Sequence, residues 1–166
     1  MFGGQTGPEV WRLVQNWTPS EVYDHERKYQ SELQSYLDEN LNGGGGGFGM
    51  GGGQSHAVST ERGTAYGDVV VDDTVGIELK RNFSNSQKRK LRGQLADYGD
   101  NYDFVIACAC GVEDTDGWRE IENKFSEGQR GMMDMTEYRF IIKRREDFGR
   151  DDSGQNGGLL GGDGFL

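Results

Sequence analysis

The stretch GDVVVDDTVGIELKR, residues 67–81, constrains the fold more than any other part of the chain. Strand side chains alternate between the two faces of a sheet. Val69, Val71, Val75, Ile77 and Leu79 take the odd positions and are all apolar. Asp68, Asp72, Glu78 and Lys80 fall on even positions, where Val70 is the apolar exception. This alternation predicts two half-buried strands, with Asp72, Asp73 and Thr74 supplying the turn chemistry. A three-residue loop places Val71 opposite Val75, Val69 opposite Ile77 and Asp68 opposite Glu78. Cross-strand partners stand about 5 Å apart at Cβ. Two carboxylates that close destabilise a hairpin unless a cation lies between them. A divalent metal would serve, and Lys80 on the same face is a second cation.

The flanking chain supplies the other layers. Thr18-Pro19-Ser20-Glu21 reads as a helix start. A helix is predicted from about 20 to 41, with Val22, Tyr29, Leu33, Tyr36 and Leu37 on one stripe. Glu26 falls inside that stripe, one turn before Tyr29 and Gln30, and Glu32 falls at its edge. Residues 1–18, with two Trp and little periodicity, read as an N-terminal extension. Residues 43–53, GGGGGFGMGGG, carry nine Gly in eleven positions and read as a flexible insertion. A phosphate loop would need a preceding apolar strand and a following Gly-Lys-Ser/Thr.

SHAVSTERG reads as a first strand ahead of the hairpin. A helix is expected over 84–99, with Ser84 or Ser86 at its cap. YDFVIACACG is an unbroken apolar run, the pattern of a strand buried on both faces. DTDGWREIENKF starts a helix near 117–126, and TEYRFIIKRRE forms a last strand. From 147 onward the chain is Gly- and Asp-rich, and a disordered tail is expected there. One domain over 19–146 results. A right-handed crossover through the 84–99 helix would set the 103–109 strand parallel to the hairpin. The fold class is α/β, a mixed sheet flanked by helices.

No apolar run approaches the length of a membrane span, about 18 residues, and the first residues lack the basic and apolar regions of a secretory signal. Cys108 and Cys110 alternate on a predicted strand and read as reduced core thiols of a cytoplasmic protein. The net charge is −10, with 28 acidic against 18 basic residues. That balance argues against nucleic-acid binding, but its distribution argues the other way. Lys80, Arg81, Lys88, Arg89, Lys90 and Arg92 follow one another with no acid between them. The acidic excess with few Lys suits work in high salt, as in a halophilic archaeon or one of its viruses.

Asp68, then nine residues, then Glu78-Leu79-Lys80 on the second arm of a hairpin resembles the PD-(D/E)xK signature of the restriction-endonuclease-like nucleases. The order helix, three strands, helix, strand is similar to the core of that superfamily. Gln94 and Tyr98, at i and i+4 on the crossover helix, resemble the Q-x-x-x-Y motif of its RecB-like members. Gly67 stands where the name has Pro, and the Gly-rich insertion is unusual.

The resemblance implies a DNA-cleaving enzyme that uses Mg²⁺ or Mn²⁺. It implies that Asp68, Glu78 and the Leu79 carbonyl hold the metal, hard oxygen ligands of the kind Mg²⁺ prefers. Lys80 would position the attacking water or stabilise the phosphorane. A first-helix acid, Glu26 or Glu32, would assist; Glu26 is preferred because it lies on the sheet-facing stripe. Gln94 and Tyr98 would orient the site. Arg81, Lys88, Arg89, Lys90 and Arg92 would contact DNA phosphates, and a homodimer would serve if junctions are the substrate. The alternative is a nucleic-acid-binding or assembly protein on the same fold without catalysis. A virion or scaffold protein is a weaker third reading.

Overall fold

The computed structural model describes residues 4–43, 55–60, 68–128 and 136–149. Four helices, α1 (Thr6–Asn16), α2 (Glu26–Asn42), α3 (Asn85–Asn101) and α4 (Thr115–Gly128), surround five strands. The strands are β1 (Val58–Ser59), β2 (Val69–Val71), β3 (Val75–Lys80), β4 (Phe104–Cys110) and β5 (Glu137–Lys143). They form one mixed sheet in the order β1-β2-β3-β4-β5. β1, β2 and β3 pair antiparallel, and β4 and β5 continue from β3 in parallel. The α/β class expected from the sequence is therefore the class observed.

The hairpin register is the one its parity dictates: Val71 faces Val75 and Val69 faces Ile77. Asp72 and Asp73 both adopt φ of 53°, the sign that twist-compatible hairpin turns require at their two central positions. The Thr74 N–H closes the turn on the Val71 carbonyl at 3.1 Å. Asp72 also accepts from the Ala57 N–H at 2.8 Å and lies 2.6 Å from His56 Nδ1, fastening β1 to the turn.

Two apolar layers cover the sheet. Odd residues of β2 and β3, with Phe104, Ile106, Cys108 and Cys110, pack under α1 and α2. Val70, Val105, Ala107 and Ala109 pack under Leu91, Leu95 and Tyr98 of α3 and Trp118 and Ile121 of α4. Trp118 anchors α4, fully buried between the rings of Phe83 and Phe140. Cys108 and Cys110 are free and buried, their sulfurs 4.0 Å apart. The sulfur contact with Cys108, together with burial, raises the Cys110 thiol well above its ordinary range, so it is an inert core group.

Three boundaries depart from the sequence reading. Within the stretch read as an extension, residues 6–16 form α1, which buries Val10, Leu13 and Val14 against the sheet. Pro8 is tolerated in its first turn, where backbone N–H groups lack helical partners anyway. Gly7 lets the Phe104 ring approach to 2.5 Å of where a Cβ would stand. α2 starts at Glu26, not near 20, because Glu32 holds the preceding loop: it accepts from the Ser20 N–H and hydroxyl at 2.8 Å each. Residues 147–149 belong to the fold, with Phe148 against the Tyr29 ring and the Gly149 N–H on the Pro19 carbonyl at 3.0 Å. The Gly-rich insertion beyond Gly43 and the tail beyond Gly149 lie outside the described residues. Among the described residues, no helix is long and apolar enough to cross a membrane.

Gly76, inside β3, lies under the Tyr102 ring, whose atoms come within 2.6 and 2.8 Å of a hypothetical Cβ. Gly76→Ala is expected to cost about 1–3 kcal/mol by overpacking, read as a lower urea midpoint. An unchanged midpoint would show that Tyr102 yields freely.

Candidate active site

Glu78 and Lys80 stand on the α3 side of β3, level with Ala107 and Ala109 of the neighbouring strand. Those small partners leave room for two long polar side chains. Both are buried, 1% and 2% exposed, and Lys80 Nζ lies 2.7 Å from Glu78 Oε1. The Tyr98 hydroxyl of α3 donates to Glu78 Oε2. The carboxylate is thus held at both oxygens. Burial works to lower the Lys80 pKa, but Glu78, with Glu26 and Asp68 behind it, outweighs burial and raises it.

Asp68 is placed differently from the sequence expectation. β2 begins only at Val69, so Asp68 sits on a bend at the mouth of the hairpin rather than on the pleat. One of its oxygens accepts the Leu79 N–H at 2.7 Å, acting as a rung of the ladder. The other accepts from Gln30 Nε2 of α2 at 2.6 Å. Burial, then the nearby charge of Glu78, push its carboxyl up to about 8. Its N–H partner and Lys80 pull the other way without prevailing.

Position separates the two acids of the first predicted helix. Glu26 opens α2 and its Oε1 accepts the Arg81 N–H at 3.3 Å. Glu32 is committed to the loop ahead of α2. Glu26, Asp68, Glu78, Lys80 and Tyr98 therefore gather around the end of β3. Gln94 does not join them by a hydrogen bond; its Oε1 is buried without a partner. Gln30 was not singled out from the sequence, although it lies four residues after Glu26 on the same helical stripe. That spacing was the available signal.

The basic island divides. Lys88 pairs with Asp114 at 2.7 Å and Arg92 with Glu120 at 3.1 Å, tying α3 to α4. Asp114 also accepts the Gly117 N–H as a helix cap. Arg89 and Lys90 are exposed, and Arg81 is half-buried beside the site.

Among the described residues, no three His, Cys, Asp or Glu side chains form a ready-made metal cluster. A site of two carboxylates and a carbonyl does not need one. Asp68 and Glu78 offer hard oxygens, and burial, then the neighbouring Glu78 charge, leaves an ionised Asp68 under-compensated and raises its carboxyl to about 8. A Mg²⁺- or Mn²⁺-sized cation fits that deficit and that donor set. Comparison of the chain with protein-family models, curated proteins and solved structures finds no match in any of the three.

Proposed function

We propose that this chain is a metal-dependent nuclease of the PD-(D/E)xK kind that hydrolyses DNA phosphodiester bonds. The observation that carries the reading is the meeting of Asp68 from the hairpin mouth, Glu78 and Lys80 from β3 and Tyr98 from the crossover helix around the end of β3. Neither hairpin packing nor helix docking calls for two carboxylates and an ammonium there. The order of motifs along the chain supports it as well.

Asp68, Glu78 and the Leu79 carbonyl would hold Mg²⁺ or Mn²⁺, with Glu26 at the margin. The bound metal would supply charge neutralisation at the phosphate and a more acidic water. The protein's own residues do the rest. Tyr98 fixes the Glu78 carboxylate, and Gln30 with the Leu79 N–H fixes Asp68. Lys80 presents a preorganised ammonium to the oxygen on which charge develops. Arg81, Arg89 and Lys90 carry the salt-dependent attraction to the backbone.

A second reading, a nucleic-acid-binding module without catalysis, draws on the same geometry. Both Glu78 oxygens already have partners, and Lys80 is closed off from solvent. Incubation with supercoiled, linear and branched DNA separates the two. Cutting that requires Mg²⁺ or Mn²⁺ and stops with EDTA is the expected result. Binding without cutting, across a salt series that includes the high salt its acidity suits, would sink the nuclease and leave the module.

A further inference from the structure

A cleft of about 320 Å³ opens beyond the carboxyl ends of β3, β4 and β5. Arg81 and Asn82 line it from the loop after β3, Gly111 and Glu113 from the loop after β4, and Arg145 from the turn after β5. Its size is at the low end of ligand sites, which run from about 300 to 1,000 Å³. The carboxyl ends of parallel strands are where open α/β sheets take their ligands.

Its charge is unbalanced in one direction. Among the described residues, neither Arg81 nor Arg145 has a carboxylate within ion-pair distance. The Asp114 carboxylate at the rim is already taken by Lys88 and by the Gly117 N–H. Glu113 is exposed at the same rim and is the one opposing charge left over. Arg145 is also placed by the fold. Its side chain crosses Gly111, where a Cβ would come within 2.9 Å of Cγ and 3.2 Å of Nε. Gly111 has φ of 71°, a conformation suited to glycine. The cleft adjoins the candidate active site directly, since Arg81 follows Lys80 and its N–H is held by Glu26.

We propose that this cleft binds a backbone phosphate of the nucleic-acid strand adjacent to the one at Asp68 and Lys80, clasped between the Arg81 and Arg145 guanidiniums. The proposal rests on the nuclease reading for its choice of ligand. Planar guanidiniums suit the non-bridging oxygens of a phosphodiester through paired N–H donors. Arg145 lies outside the basic island and would act on binding and register.

The test compares wild type, Arg145→Ala and Arg144→Ala. Arg144 is the control: it is adjacent, 70% exposed and removes the same charge from a weak pair with Glu146 at 3.7 Å. Binding of a fluorescent duplex is measured in EDTA across a salt series, and cleavage is measured separately with Mg²⁺. Arg145→Ala is expected to weaken binding about tenfold and to flatten the logarithmic salt slope by about one unit. Arg144→Ala is expected to change affinity less than twofold. If the two variants bind alike while wild type cuts DNA, the cleft proposal is overturned and the nuclease stands. If Arg145→Ala alone loses affinity but wild type never cuts, the cleft stands and the nuclease falls. If wild type binds no DNA, both fall. Circular dichroism confirms folding, and Arg145→Lys, which keeps charge without the fork, is expected to recover part of the loss.

Discussion

Lys80→Met is expected to cut DNA cleavage by a factor of about 10²–10³ and to lower folding stability by about 3–5 kcal/mol. The first effect belongs to the proposed chemistry and the second to the fold. Glu78 is 1% exposed, and Lys80 is the cation beside it at 2.7 Å. Removing the ammonium leaves a carboxylate in an apolar layer with only the Tyr98 hydroxyl for support. The raised Lys80 pKa fixes the pH range of its contribution. The contribution is fully present below the ordinary lysine value of 10.5 and fades as pH climbs through the higher folded value. Urea denaturation at neutral pH in EDTA reads the stability loss. The double variant Glu78→Gln/Lys80→Met separates the two effects. Its neutral amide still accepts from Tyr98 and needs no counter-charge, so most of the stability is expected to return. Cleavage is expected to stay lost. A single variant as stable as wild type would refute the view of Lys80 as the counter-charge of Glu78.

Stability is also expected to fall as pH rises from about 4 to about 8. The Asp68 carboxyl moves from an ordinary 3.8 to about 8 on folding. Inside that window the folded chain holds a proton that the unfolded chain has released. Folding then takes up a proton, and raising the pH works against it. The slope approaches about 1.4 kcal/mol per pH unit and flattens above the folded value. Glu78 and Glu26 sustain the shift, while Lys80, Gln30 and the Leu79 N–H face the same carboxylate. Asp68→Asn is expected to remove this part of the slope, because an amide does not titrate. A cation at the site would replace the proton, so Mg²⁺ is expected to stabilise wild type more at about pH 8 than at about pH 5. Thermal melts across pH, with and without Mg²⁺, read both. A slope identical in wild type and Asp68→Asn would show that the burden lies elsewhere.

What the sequence revealed depended on how local the signal was. The hairpin register follows from parity over 69–79, and the structure repeats the Val69–Ile77 and Val71–Val75 pairs, while Asp68 leaves the pleat before it can face Glu78. Ser84 caps α3 through the Gln87 N–H, and β4 is buried along its whole length, as an unbroken apolar run requires. Tyr98 reaches Glu78 because the helix spacing that marks it also aims it. The failures are tertiary. α1 hides behind two Trp and a Pro, and its apolar stripe gains meaning only against Phe104 and the sheet. Gln30 matters only because α2 crosses the hairpin mouth, 38 residues away along the chain from Asp68. The ion pairs of Lys88 and Arg92 were hidden because their partners, Asp114 at the cap of α4 and Glu120 within it, lie well downstream.

The strand order has a consequence for how the molecule is made. Among the described residues, no later strand inserts between earlier ones; each joins the open edge left by its predecessor. A chain emerging from a ribosome can therefore extend its sheet in the order of synthesis, without reopening a pairing. Every side chain gathered at the candidate site lies between Glu26 and Tyr98, so all of them emerge before β4 does. β4 and β5 then arrive as the lid and buttress of a centre whose parts were synthesised first. The slow steps are the two crossovers, since parallel pairings must close long loops before they gain any contact. Without β4, the Glu78–Lys80 pair lacks the Ala107 and Ala109 that stand beside it, so its full burial requires the first crossover.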